Sequence, residues 1–275
     1  MVIRSRRRLI WRIGGPVVFI AVLAVAGPFI YIHFIEGPAP TKLALPTPHT
    51  STSVPGASSS AASSSVVIGT WNVGPGSQAG YRVQEVLVGQ NSTAVGRTSK
   101  IWGSVVISGT SVTQGTFTVN MAGVVSDQSE RNAQFDGRIM DVTQYPTATL
   151  VLTSPIPLGA LPSVGATKQY PAQGTLAMHG VSNSASFTVT AERTGSTIDV
   201  LADVPITFSD WNIANPSVGG FVTTANNGTL EALLDLTRGP GNSPSTSSGS
   251  STAGGGGGPV TVPSTTVPPL IVPSA

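Results

Sequence analysis

Over much of the middle of the chain apolar and polar residues alternate, the period expected of β-strands with one covered face and one wet face. Phe117, Val119 and Met121 fall on one side, as do Ala148, Leu150 and Leu152. Ile198, Val200, Ala202, Val204 and Ile206 follow, then Leu230, Ala232, Leu234 and Leu236. In GTLAMHGVSNSASFTV, residues 174–189, Leu176 and Met178 share a face before a turn, and Ala185, Phe187 and Val189 share one after it. Gly180 stands where a tight connection needs a positive φ, which puts His179 at a strand end. The alternation fails from 127 to 142, where Phe135, Ile139 and Met140 fit neither face; this segment reads as a short helix or an irregular excursion over the sheet. Repeated hairpins with one helical interruption predict an all-β fold, a closed antiparallel barrel.

The flanks follow other patterns. Residues 13–35 (IGGPVVFIAVLAVAGPFIYIHFI) carry no Asp, Glu, Lys or Arg and are long enough for a transmembrane helix. The preceding residues 1–12 hold Arg4, Arg6, Arg7, Arg8 and Arg12, a bias that keeps the N-terminus cytoplasmic and sends the rest of the chain outside. Ala24-Val25-Ala26 resembles a signal-peptidase site, so cleavage is the alternative to a retained signal anchor. The apolar run continues to Ile35, beyond where a cleaved signal normally stops, and this favours retention. Both readings place the β domain outside the cytoplasm. Residues 36–65 and 239–275, rich in Pro, Ser, Thr, Ala and Gly, read as a disordered stalk and tail, and the tail is a candidate for cell-wall contact. One domain of about 66–238 remains, large enough to bury a core.

Composition narrows the function. Charged residues make up 9% of the chain, and its formal charge of +2 comes from the N-terminal arginines. Between 66 and 238 eight basic residues face eleven acidic ones, which leaves no electrostatic footprint for nucleic acid. With no cysteine, thiolate catalysis, disulfides and cysteine zinc sites are excluded. His33 lies in the expected anchor and His49 in the stalk, so His179 has no second imidazole with which to hold a metal. No Gly-x-Ser-x-Gly elbow supports a serine hydrolase. Neither a cofactor nor catalysis is expected.

Five stretches in order resemble the YceI-like family of lipid- or polyisoprenoid-binding proteins, over nearly all of 66–238. They are Trp71; Ser77-Gln78-Ala79-Gly80-Tyr81-Arg82-Val83-Gln84-Glu85; Ser129-Glu130-Arg131-Asn132; Met140-Asp141-Val142-Thr143-Gln144-Tyr145-Pro146; and Gly174-Thr175-Leu176-Ala177-Met178-His179-Gly180-Val181-Ser182. The last is the most recognisable. The resemblance implies an extended lipocalin-like barrel around an apolar tunnel, and a binding or carrier role in the bacterial envelope toward an isoprenoid or similar amphiphile. Glu85 stands where the family often has His, and Asn132 replaces the usual Asp beside Arg131.

The candidate ligand-binding residues are Tyr81, Val83, Glu85, Phe117, Met121, Arg131, Phe135, Leu150, Leu176, Met178, His179 and Phe187. Glu85 shares a strand face with Tyr81 and Val83, which points a carboxylate toward the apolar side; it is either paired, with Arg131 the first partner to test, or a rim residue in water. His179 is either a structural strand-end residue or a hydrogen-bond donor to a ligand head group at the tunnel mouth. Alternation cannot tell a lined tunnel from a filled core. The main expectation is a membrane-anchored lipid-binding barrel; the alternative is an envelope structural or adhesion module whose core is filled.

Overall fold

The structure, a computed structural model, describes residues 39–46, 67–126, 128–239 and 241–242. The expected anchor at 13–35, most of the stalk and nearly all of the tail lie outside these residues. Thirteen strands follow one another: β1 (Gly69–Val73), β2 (Gln78–Leu87), β3 (Gln90–Thr98), β4 (Ile101–Ser108), β5 (Ser111–Asn120), β6 (Val125–Ser126), β7 (Thr147–Leu152), β8 (Ile156–Pro157), β9 (Thr167–Met178), β10 (Val181–Thr194), β11 (Thr197–Thr207), β12 (Val222–Thr224) and β13 (Asn227–Thr237). A short helix, α1 (Ser129–Gln134), and a π-helical turn (Phe135–Ile139) lie between β6 and β7.

Every described pairing between named strands is antiparallel. Contacts of β1 with both β4 and β13 close a ring in the order β1-β4-β5-β7-β9-β10-β11-β13, an eight-stranded barrel. Beyond β1, β2 continues along the same edge of β13 and carries β3, β6 and β12. The helical excursion expected between 127 and 142 is α1 with its π-turn, set against the inner side of β2.

The hairpin signals are realised in the backbone. Between β9 and β10, His179 (φ 52°) and Gly180 (φ 76°) form a two-residue turn with both angles positive, the type I′ geometry whose twist matches the strands. A Cβ on Gly180 would lie 2.8 Å from the Tyr145 ring, so that ring can close on the turn only over a glycine. The motif ending in Tyr145-Pro146 and the motif centred on His179-Gly180 thus meet at one end of the barrel.

One departure from expectation lies on the outer wall. The stretch 36–65 was expected to be flexible, yet residues 39–46 lie against the barrel. Arg82 donates to the Pro40 carbonyl (2.8 Å), Arg97 donates to the Thr41 carbonyl, Lys42 pairs with Asp203 (2.9 Å), and Leu43 is buried. Backbone carbonyls and one leucine thus dock a segment whose composition alone suggests a linker.

Candidate functional site

Inward positions on the ring enclose a cavity of about 610 Å³, within the roughly 300–1,000 Å³ common for small-molecule sites. Register explains the space. Ala79, Ala232 and Ala202 stand side by side across β2, β13 and β11, all facing inward. On this rung each side chain stops at Cβ. The opposite wall is bulkier, with Phe117, Leu150 and Leu176 in register across β5, β7 and β9. Small residues facing large ones leave a void that is lined almost entirely by carbon.

All the candidate residues except His179 line this cavity: Tyr81, Val83, Glu85, Phe117, Met121, Arg131, Phe135, Leu150, Leu176, Met178 and Phe187. α1 and the π-turn border one end of it. Arg131 and Phe135 are four apart and share a helical face, while Tyr81 and Glu85 are four apart on one strand face. The two faces meet. Phe135 stacks on Tyr81 with ring centroids 5.1 Å apart, and Arg131 Nη2 donates to Glu85 Oε1 at 2.8 Å. The Glu85 side chain is 8% exposed and that of Arg131 15%, so the rim-in-water alternative for Glu85 does not hold. An apolar chamber thus carries a buried ion pair at one end. Asn132 accepts the Ser126 backbone N–H at 2.7 Å and ties α1 to β6.

His179 stands apart from the cavity. Its Nδ1–H donates to the Trp211 carbonyl (3.2 Å), which fixes the tautomer because a carbonyl only accepts, and its ring meets Tyr145 edge-on with centroids 4.8 Å apart. Trp211 in turn donates from Nε1 to the Leu176 carbonyl (3.0 Å), and Asn183 donates to the Asp210 carbonyl. These bonds hold the β9–β10 turn to the segment Phe208–Trp211. Of the two roles considered for His179, these contacts are those of a structural strand-end residue: the turn that sets its φ aims the ring at Trp211 and Tyr145.

Sequence reasoning missed a second ionic site, on the outside. Glu231 on β13 faces away from the cavity, yet its side chain is 1% exposed; it accepts from Arg82 Nε (2.8 Å) and Arg97 Nη2 (3.5 Å). Gly80 lies between them in register, and a Cβ there would be 2.0 Å from the Gly96 carbonyl oxygen and 3.0 Å from Arg97 Cγ. Pro40 and Thr41 cap the group. The one available signal was a glutamate flanked, across the strands, by two outward arginines.

The pattern of the YceI-like domain matches residues 71–236. No curated protein matches. Among solved structures, a polyisoprenoid binding domain from Saccharophagus degradans implicated in plant cell wall breakdown is 13% identical, with a TM-score of 0.49 over 62% of this chain and 98% of that one. BcnA of Burkholderia cenocepacia is 22% identical, with a TM-score of 0.45 over 57% and 96%. A Campylobacter jejuni YceI protein is 15% identical, with a TM-score of 0.38 over 50% and 83%. With the barrel, the excursion and the motifs in place over most of its folded length, the chain belongs to the YceI-like domain family.

Proposed function

We propose that this chain is a non-catalytic, extracytoplasmic lipid-binding protein, anchored by residues 13–35, that holds a long apolar chain of isoprenoid type in its barrel. The observation that carries the reading is the alanine rung Ala79, Ala232 and Ala202 opposite Phe117, Leu150 and Leu176, which hollows the barrel into a carbon-lined chamber. Each methylene moved from water into such a chamber contributes about 0.8 kcal/mol. A long apolar chain therefore gains affinity from burial alone, without directed bonds. The buried Arg131 and Glu85 pair at the cavity wall is placed to orient a polar end, and Arg131 suits an anionic or hydroxyl head. The void favours this reading over the adhesion-module alternative, whose barrel core would be filled.

The test is lipid extraction and native mass spectrometry of the detergent-purified full chain, alongside Leu150→Trp and Phe187→Trp. A co-purifying amphiphile is expected, displaced in both variants with little change in melting temperature. If the barrel is solid, the added volume strains it by roughly 1–3 kcal/mol and no ligand is lost; that result would sink the proposal.

A further inference from the structure

The end of the barrel that carries the ion pair also carries apolar side chains on its outside. Among the described residues few large hydrophobic side chains are exposed, and three of them meet here: Val88 (49%), Val218 (48%) and Phe221 (68%). They sit on two neighbouring turns. Val88 N–H donates to the Phe221 carbonyl (2.8 Å), and Phe221 N–H donates to the Val218 carbonyl (2.9 Å). Leu87, Val218 and Val222 also line the cavity, so the outer patch is continuous with the chamber.

The turn at Val88 is strained for its residue type. Val88 (φ 46°) and Gly89 (φ 83°) connect β2 to β3 in type I′ geometry, where Asn-Gly is the favoured pair and a β-branched residue is an outlier. An apolar side chain is held in solvent at a position where a polar one would sit more comfortably. Such outliers motivate a search for function.

The docked segment 39–46 gives the orientation. Pro40 is held by Arg82, whereas Lys42 meets Asp203, which is level with Gly80 across β11, β13 and β2. From Pro40 to Lys42 the chain therefore runs away from Leu87, so what precedes Pro40 arrives from the Val88 end. In the topology proposed above the anchor ends at Ile35, and five extended residues span at most roughly 18 Å. Val88 lies six residues beyond Arg82, just past the end of β2, about 20 Å along the strand direction. Even fully extended the leash does not outreach the strand tip, so the tip is held at the level where the anchor ends.

We infer that the Val88, Val218 and Phe221 patch docks on the outer surface of the bilayer and presents the mouth of the chamber to it, so that lipid passes between them without crossing water. This inference rests on the lipid-binding reading and adds the surface through which loading occurs. Exposed Arg138, whose Nη2 donates to the Pro216 carbonyl (3.0 Å) beside the patch, suits anionic headgroups.

The chain has no cysteine, so single labels can be placed without background. The full chain is reconstituted in phosphatidylcholine/phosphatidylglycerol vesicles with an environment-sensitive fluorophore on Val88→Cys, Phe221→Cys or Val164→Cys, the last in the loop beside Arg193 at the opposite end. Lipid-borne quenchers are expected to act at least threefold more strongly on the first two than on the third. Equal quenching at all three positions overturns docking. So does protection that appears without vesicles and grows with protein concentration, which would assign the patch to a second copy. A second measurement uses Val88→Asn, which suits the turn, combined with Phe221→Ser. Uptake of geranylgeraniol from vesicles is expected to slow at least fivefold, while affinity for the same alcohol delivered in detergent stays within twofold. An unchanged vesicle rate overturns docking. Uptake from neither source by the unsubstituted chain counts against lipid binding, and the quenching data still decide docking.

Discussion

Glu85 and Glu231 are buried on opposite faces of the same barrel wall, and each is held by arginine. The side chain of Glu85 faces the cavity and is 8% exposed; that of Glu231 faces outward and is 1% exposed. Glu85 is covered by α1, an element of the domain itself. Glu231 is covered by Arg82, Arg97 and the docked residues Pro40 and Thr41. Strand periodicity gives the side of the sheet on which a side chain lies. It does not give what lies over that side. A carboxylate on the wet face of a strand became the more deeply buried one because a segment of linker composition folds down onto it.

The largest effect is expected at the outer site. Replacing Glu231 with Ala leaves two guanidiniums facing each other under the strap. Breaking a buried pair costs about 3–5 kcal/mol; because Arg82 and Arg97 retain some access to water, roughly 2–3 kcal/mol is expected here. For a domain of this size that is a fall in melting temperature of roughly 4–12 °C. Lipid affinity should be unchanged, since Glu231 faces away from the chamber. A fall in affinity at unaltered stability would reverse the roles assigned to the two glutamates.

The inner pair is expected to show the opposite division. Glu85→Gln removes the carboxylate charge that Arg131 meets at the α1 end of the chamber, and a loss of about 1–2 kcal/mol of stability is expected together with weaker retention of lipid. Arg131→Met combined with Glu85→Gln removes both charges and should cost less than the two single changes added together. Strict additivity, measured by chemical denaturation, would mean that the 2.8 Å contact contributes nothing.

The contrast also separates what the sequence made legible from what it did not. Alternation placed Leu150, Leu176 and Phe187 inward, and the broken period between 127 and 142 announced the excursion that carries Arg131 and Phe135. Each was local information. The hollow interior was not local, because Ala79, Ala202 and Ala232 are far apart in sequence and form one rung only when β2, β13 and β11 take their register. The docking of Leu43 was illegible for another reason: Leu43 and Leu45 among Pro, Thr and Ala give too short a periodic signal, and what Pro40 and Thr41 offer to Arg82 and Arg97 are backbone carbonyls, which every residue has. For His179 the turn was readable from His-Gly, whereas the direction of the ring was set by Trp211, 32 residues away.

A smaller effect follows at that turn. His179→Ala loses one neutral hydrogen bond, about 0.5–1.5 kcal/mol, and places alanine at a φ of 52°. Stability should fall by about 1–2 kcal/mol, while lipid affinity stays constant because the ring lies outside the chamber. His179→Asn, which tolerates the left-handed backbone, should recover part of the loss. Equal stability of the two variants would show that the contacts with Trp211 and Tyr145, not the backbone angle, account for the cost.

The smallest effect belongs to a half-buried carboxylate that meets no cation among the described residues. Asp235 lies on the same outward face of β13 as Glu231, opposite Asp199 on β11, and its Oδ1 finds no hydrogen-bond donor among the described residues. Desolvation, and then the neighbouring charge of Asp199, hold its carboxyl above the usual value of 3.8. A group whose pKa is raised by folding binds its proton more tightly in the folded state. Ionising it as pH rises from 3.8 through that raised value therefore removes stability, the reverse of a carboxylate in an ion pair. Asp235→Asn is neutral at every pH and should melt slightly higher than the unsubstituted chain at pH 7. As pH falls through the window the difference should shrink, and below 3.8, where Asp235 is protonated folded or unfolded, it should vanish. Thermal melts of both proteins from pH 3 to 7 measure this directly. A gain that does not change with pH would mean that the substitution acts through packing, and that Asp235 is not the uncompensated counterpart of Glu231 on the outer wall.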